Sequence, residues 1–263
     1  MTVSAFNRVA YSTRDAVAEI LVDRPDKLNA LDRATMEQID AALTMAADDG
    51  AVRVVLIGGT GDKAFVAGAD IEEMSMLRPE QAQAFSRYLQ SVLDRIERFP
   101  KPIVARIQGF ALGGGCELAC ACHLRVASTR AKFGQPEVNL GLIPGAGGTQ
   151  RLTRLVGRGR ALDLILTGRL MDAEEAHRIG LVDRLAEPDA LEAEVEALIE
   201  LLSSKSPVAQ SRALEAVIAG GELPLTEGLR LEAALFGLGF ATEDMKEGTR
   251  AFLEKRKARF EGR

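Results

Sequence analysis

An α/β fold is predicted, and three features of the chain predict it. Apolar runs short enough for strands, several of them ending at glycines, alternate with longer stretches whose apolar residues recur at helical spacing. From about Gly147 onward helical patterns dominate, broken only by Leu181–Leu185, which reads as a last strand. The 263 residues, 47% of them hydrophobic, suffice for one large domain with a substantial core. The expected division is a body over 1–185 that carries the active site and a helical C-terminal region over 186–263. No Ser- or Pro-rich linker separates them, so the second part is expected to dock on the first.

The elements follow in order. Phe6, Val9 and Tyr11 begin a first strand and Ala16–Val22 a second, with Ser12-Thr13-Arg14-Asp15 as the hairpin turn between them. Asp32 is placed to cap a helix reaching about Ala47, with Met36, Ile39, Leu43 and Ala47 on one face. Arg53–Ile57 is a buried strand ending at Gly58-Gly59. Pro79 opens a helix in which Phe85, Leu89, Val92 and Ile96 share a face. Pro102–Ile107 is a third buried strand, Gly109–Gly115 a glycine-rich turn, and about Gly114–Cys122 a short helix. Val126 and Phe133 mark two further extended pieces, and Leu181–Leu185 a last strand. Helices are expected after Pro188, Pro207, Pro224 and Thr242.

Composition removes several function classes. Charged residues make up 27% of the chain and the net charge is −5. A general nucleic-acid binder needs a basic surface to displace counterions, so no nucleic-acid partner is expected. The longest apolar run, Ile107–Cys116, is Gly-rich and interrupted by Gln108, well short of the ~20 residues a membrane helix needs. The N-terminal MTVSAFNRVAYSTRD has no targeting pattern, and an odd count of three cysteines fits a reducing compartment. A cytoplasmic protein without a membrane partner is the expectation. No Gly-x-Ser-x-Gly and no P-loop is present. Leu162 and Gln150 stand where Gly157-Arg158-Gly159 and Gly145-Ala146-Gly147 would need glycine to make a dinucleotide fingerprint.

Two histidines make a multi-histidine metal site unexpected. Cys116, Cys120 and His123 would share a face of an unbroken helix, but small buried cysteines under a glycine turn are the favoured reading. No metal is therefore expected.

Chemistry concentrates in Lys63–Ile71 and Gly109–Ala119. Gly113-Gly114-Gly115 directly before a helical run exposes backbone N–H groups at a helix N-terminus, where the helix dipole also favours an anion or developing oxyanion. A tight turn with no ligand explains the glycines equally well. Glu117 and Glu137 each stand among apolar residues, where a carboxylate is costly unless paired or functional. A buried ion pair with Arg125 or Arg151 is the alternative, and spacing does not show that the two glutamates converge.

The chain resembles the crotonase (enoyl-CoA hydratase/isomerase) superfamily, and most closely its two-glutamate 2-enoyl-CoA hydratases. The resemblance runs through Arg24-Pro25-Asp26-Lys27-Leu28-Asn29-Ala30-Leu31, Ala67–Ile71, Ala111–Leu118, Phe133–Glu137, Gly141–Leu152 and Phe252–Arg256. It implies a spiral of β-β-α units with a helical C-terminal trimerisation region, and a coenzyme A thioester as ligand. It implies an oxyanion hole from the N–H groups of Ala69 and Gly114. Ala67, Asp70 and Ile71 would lie along the thioester, and Lys27 and Leu28 near the adenosine part. Glu117 and Glu137 match the acid/base pair, Glu117 at the water-activating position and Glu137 at the proton-delivering one.

Both glutamates present favour hydration of a 2-enoyl-CoA to a 3-hydroxyacyl-CoA. A Δ3-Δ2-enoyl-CoA isomerase and a non-catalytic scaffold of the same fold are the alternatives. His123 where many relatives carry Asp, and Ile107-Gln108-Gly109 for Val-Asn-Gly, are departures outside the reacting centre. No cofactor is implied beyond the coenzyme A of the substrate. Met74, Met76, Leu77 and Phe85 are candidates for a short- or medium-chain acyl pocket, with core packing rated equally. Leu231, Leu235, Phe236, Leu238 and Phe240 suggest subunit contact, and the resemblance implies homotrimers or hexamers. Lys255 could then reach coenzyme A phosphate from a neighbouring subunit.

Overall fold

The computed structural model describes residues 6–263; the N-terminal stretch considered as a targeting signal begins outside them, at 1–5. Strands β1 (Val9–Arg14) and β2 (Val17–Val22) pair antiparallel in register from Val9–Val22 to Arg14–Val17. The connection is therefore Asp15-Ala16 and not the four residues Ser12–Asp15. Asp15 takes φ 53, a left-handed conformation that Asp tolerates, so pairing continues to Arg14.

Helix α1 (Arg33–Asp48) starts where its cap predicts, with the Asp32 carboxylate accepting from Thr35 N at 2.7 Å. Met36, Ile39, Ala42, Leu43 and Ala46 form its buried face. The chain then winds. β3 (Val54–Gly59) enters a large sheet, β4 (Ala64–Ala67) a small one, and the short α2 (Ile71–Met74) and α3 (Pro79–Glu97) return. β5 (Ile103–Ile107), β6 (Phe110–Leu112) and α4 (Gly114–Ala121) repeat the path. So do β7 (Leu124–Ser128), β8 (Lys132–Gly134), a 3₁₀ turn over Pro136–Leu140, α5 (Gly148–Val156) and α6 (Arg158–Thr167). β9 (Leu170–Asp172), α7 (Ala173–Arg178) and β10 (Arg184–Ala186) finish the body.

Each turn adds one strand to each sheet. The large sheet has the order β1-β2-β3-β5-β7-β10 and is parallel from β2 onward. The small sheet has the order β4-β6-β8-β9, with β9 antiparallel to β8. This is the β-β-α spiral that the resemblance implies. β4, β6 and β9 are too short to show a period in the sequence, and β6 lies inside the stretch expected to be a turn. The last strand begins at Arg184. Leu181 and Val182 are buried, and their N–H groups donate to Ala176 O instead.

The main core lies between the sheets and under α1 and α3, around Phe65, Phe133, Met36, Ile39 and Ile96. α8 (Leu191–Ser203) covers the opposite face of the large sheet, setting Leu191, Val195, Leu198 and Ile199 on Val17, Val54, Leu56, Val104 and Val126. A parallel sheet needs both faces covered, which accounts for its near-continuous apolar strands. α9 (Pro207–Gly221) and α10 (Leu225–Gly239) pack on one another, and α11 (Glu243–Leu253) follows. α9 buries none of its residues and α10 only Leu235. No described helix is long and apolar enough to cross a membrane.

Candidate active site

The C-terminal ends of β4, β6 and β8 lie side by side, and each delivers part of one site. Beyond β4, Leu31 N donates to Gly68 O at 2.9 Å and Asp70 N to Leu31 O at 2.8 Å. Those two bonds turn the intervening Ala69 N–H away from Leu31, and no acceptor among the described residues takes it. Beyond β6, Gly113 at φ 50 and ψ −121 reverses the chain into α4, a conformation few L-residues reach. Gly114 is the first residue of α4, so its N–H has no partner within the helix. A Cβ on Gly114 would stand 3.6 Å from Ala69 N. Two free amides thus border one small volume. Gly115 keeps them there: a Cβ on it would sit 1.9 Å from Val66 O, so only glycine lets α4 press against β4.

Glu117, in the first turn of α4, is only 3% exposed. Its Oε1 accepts from Ala146 N and Gly148 N, both at 2.7 Å. Burial raises the pKa of this carboxyl, while the amides of Gly148 and Ala146 and the charge of Arg151 pull it back down. Glu137 is half-buried in the 3₁₀ turn that follows β8. It lies against the α4 entrance, since a Cβ on Gly113 would meet its Oε1 at 2.9 Å. Burial, with a smaller contribution from the negative charge of Glu117, pushes Glu137 up to about 7. Neither glutamate is ion-paired among the described residues. Arg125 is held by Asp183 and by the carbonyls of Leu181 and Cys122, and Arg151 by Asp94 and Glu97. The ion-pair alternative is thereby removed.

The remaining expected residues divide. Ala67 N donates to Leu28 O at 3.0 Å, so Lys27-Leu28 and Ala67–Ile71 form one continuous rim. Lys27 Nζ reaches Glu72 Oε2 at 3.3 Å, and Ile71 is exposed. The Asp70 carboxylate turns inward, accepting from Arg24 at 2.9 Å and capping α2 through Glu72 N. Arg24 holds it well below the usual carboxylate range. Lys255, at φ 55 in the turn that ends α11, has no hydrogen bond or ion pair to these residues within the chain. Met74 and Leu77 pack against the core, Phe85 belongs to it, and Met76 is 81% exposed.

His123 makes no metal site with Cys116 and Cys120. Ile103 N donates to its Nδ1 and Nε2–H donates to Glu97 O, both at 2.9 Å, which uses both ring nitrogens. Burial lowers its pKa, and a hydrogen bond with Cys120 plus burial raises that of Cys116.

Several positioning groups escape a reading of the sequence. The Ala146 and Gly148 amides lie some thirty positions from Glu117 and are fixed from two helices. Ser86 Oγ and Gln90 Nε2 of α3 donate to Gly145 O, and Arg151 of α5 donates to Ala146 O. Gln135 is fully buried, and with its amide oriented to satisfy its neighbours it donates to Glu137 Oε1 at 3.0 Å. The glycine cluster Gly145–Gly148 was the one visible signal for the first group; nothing in the spacing tied it to Glu117.

Comparison with known proteins gives the family. A model of the enoyl-CoA hydratase/isomerase family matches residues 12–263. Crotonyl-CoA hydratase of Syntrophomonas wolfei is 45% identical over 97% of this chain and 98% of its own. Short-chain-enoyl-CoA hydratase of Clostridium acetobutylicum is 42% identical over 95% and 96%. The crystal structure of an enoyl-CoA hydratase from Bacillus anthracis superposes with TM-score 0.94 at 37% identity, covering 98% of this chain and all of that one.

Proposed function

The chain belongs to the enoyl-CoA hydratase/isomerase family; its activity is hydration of a 2-enoyl-CoA to the 3-hydroxyacyl-CoA, and we propose that Glu117, Glu137 and the amides of Ala69 and Gly114 carry it. The supporting observation is the convergence of two free N–H groups with two unpaired carboxyls of unlike surroundings. As water attacks C3, the thioester carbonyl gains negative charge. Ala69 and Gly114 donate to that oxygen, the preorganised stabilisation expected of an oxyanion hole. Glu117 has one oxygen fixed by two amides and the other free to hold the attacking water. Those amides oppose the upward shift that burial imposes, and with its second oxygen left for water we assign Glu117 as the base. Glu137, near 7, carries the proton of the pair and delivers it to C2. Glu117 takes one proton from the water while Glu137 gives one to C2, so the net step adds one water across C2–C3, and return of the proton from Glu117 to Glu137 restores the pair.

Lys27, Leu28, Ala67, Asp70 and Ile71 form the rim along which the coenzyme A part lies, Asp70 through its backbone. A trimer, singly or paired as a hexamer, belongs to the same proposal. It is supported by the exposed Leu225, Leu229, Phe236, Leu238 and Phe240 of the α10 segment, and it would bring Lys255 to a neighbouring subunit's ligand. So does a cytoplasmic location, supported by three buried cysteines left as free thiols. Crotonyl-CoA mixed with the protein should lose the absorbance of its conjugated enoyl thioester. Unchanged absorbance there, with absorbance gained from a 3-enoyl-CoA, would replace hydration by isomerisation.

A further inference from the structure

One peptide unit joins α3 to the carboxylate on α4. The bond between Gly145 and Ala146 is trans, so its carbonyl and its N–H point in opposite directions. The N–H, on Ala146, donates to Glu117 Oε1 at 2.7 Å. The carbonyl, on Gly145, accepts from Ser86 Oγ at 2.6 Å and from Gln90 Nε2 at 2.9 Å. Gly145 lies in the stretch before α5 that has no regular structure, and no backbone N–H among the described residues reaches its oxygen. Two side chains of α3, one turn apart, are therefore its donors among those residues. Gln90 Nε2 also donates to Ser86 Oγ at 3.2 Å, so the pair acts as one unit.

Ser86 and Gln90 are not needed for the packing of α3. Both are half-buried, and the buried face of the helix is made by Phe85, Leu89, Val92, Leu93 and Ile96. Their side chains make no hydrogen bond besides those to one another and to Gly145 O. An amide whose carbonyl already accepts hydrogen bonds is a stronger donor, because bonds in a chain polarise one another, and the effect grows away from water. The next peptide is braced separately, Arg151 Nη1 donating to Ala146 O at 3.1 Å. The line from α3 through Gly145 O and Ala146 N–H thus ends on the one oxygen of Glu117 that does not face the attacking water.

We propose that Ser86 and Gln90 are positioning residues for hydration: through the Gly145–Ala146 peptide they aim and strengthen the hydrogen bond that holds the Glu117 carboxylate. The proposal rests on Glu117 being the base. The charged groups facing Glu117 are Glu137 of the 3₁₀ turn and Arg151 of α5, which Asp94 and Glu97 of α3 bind in turn. Cys116, beside it on α4, is kept a neutral thiol by its hydrogen bond with Cys120 and by burial. Ser86→Ala/Gln90→Leu changes none of these charges. The test is the pH profile of kcat on crotonyl-CoA for that double variant. Loss of the donors disfavours the Glu117 anion, so the acidic limb should move up by about half a pH unit and kcat should fall about tenfold, with KM within about twofold. The alkaline limb at about 7, set by Glu137, should stay in place. Ser86→Thr, which keeps the hydroxyl, should keep the parent profile, and Gln90→Leu alone serves should the double variant fold poorly. In a Glu117→Gln background the double substitution should cost no further rate. An unmoved acidic limb in a folded variant, or the same loss of rate with and without the Glu117 carboxylate, would overturn the proposal. Parent-like kcat in Glu117→Gln alone would overturn the assignment of Glu117 itself, and its brace with it.

Discussion

A carboxyl at about 7 is half-protonated at neutral pH, and that places Glu137 where a general acid works best. Hydration requires it protonated, so kcat should fall as pH rises through about 7; a rate flat to pH 9 would remove Glu137 from the acid role. The same shift links to stability. The native state holds this proton between about 4.5 and about 7, where the unfolded chain has lost it. Stability therefore declines as pH rises through that window. Glu137→Gln should flatten the decline, leaving the variant more stable than the parent at pH 8 and no more stable at pH 4, as read from denaturation midpoints. Catalytically, Glu117→Gln and Glu137→Gln should each lower kcat about 10²–10⁴-fold with thioester binding retained. The double variant should be little worse than either single, because groups acting as a unit are non-additive.

At the scale of the element, the entrance to α4 separates folding from chemistry within two adjacent glycines. A Cβ at Gly114 meets Leu31 Cδ1 at 3.5 Å and Ala69 N at 3.6 Å, ordinary contacts that the fold can accept. The branched side chain of Gly114→Val would fill the space between the amides, giving a folded protein without turnover. Normal activity in that variant would move the oxyanion hole elsewhere. At Gly115 the Cβ would overlap Val66 O, and α4 would have to leave β4. Gly115→Ala should cost about 1–3 kcal/mol or more of stability by thermal or denaturant melts, and activity should be lost only as fold is lost. The loop over Gly145–Gly148 works differently. It is tied down by Ser86, Gln90 and Arg151, and its two amides hold the Glu117 carboxylate in place.

At the scale of the whole molecule, the body buries its helices on both faces of the large sheet, whereas α10 leaves Phe236 70% and Phe240 56% exposed. Their rings stack edge to face at 5.2 Å, so the patch is contiguous and not a scatter of single side chains. An isolated chain would show this surface to water. Sedimentation equilibrium at micromolar concentration should therefore give a trimer or hexamer. Phe236→Asp/Phe240→Asp should shift it to monomer while leaving far-ultraviolet circular dichroism unchanged. A monomeric parent protein would defeat the assembly.

The long elements were legible in the sequence because their signals are local. The Asp32 cap, the Pro79 start and the apolar spacing of Phe85, Leu89, Val92 and Ile96 are fixed within a few residues of the chain, and α1 and α3 form where they predict. The site residues were legible as suspects for a related reason: carboxylates among apolar neighbours, and glycines before a helix, betray a local cost. β4, β6 and β9 were not legible, since strands of three or four residues carry no measurable period and exist only through their neighbours. Nor could spacing join Glu117 to Ala146 and Gly148, or decide between an ion pair and a catalytic pair. Those outcomes depend on which strand ends the spiral sets side by side and on how much water each carboxyl keeps. Burial and long-range hydrogen bonds are properties of the tertiary structure, and they alone leave Glu117 cradled by amides and Glu137 poised near 7.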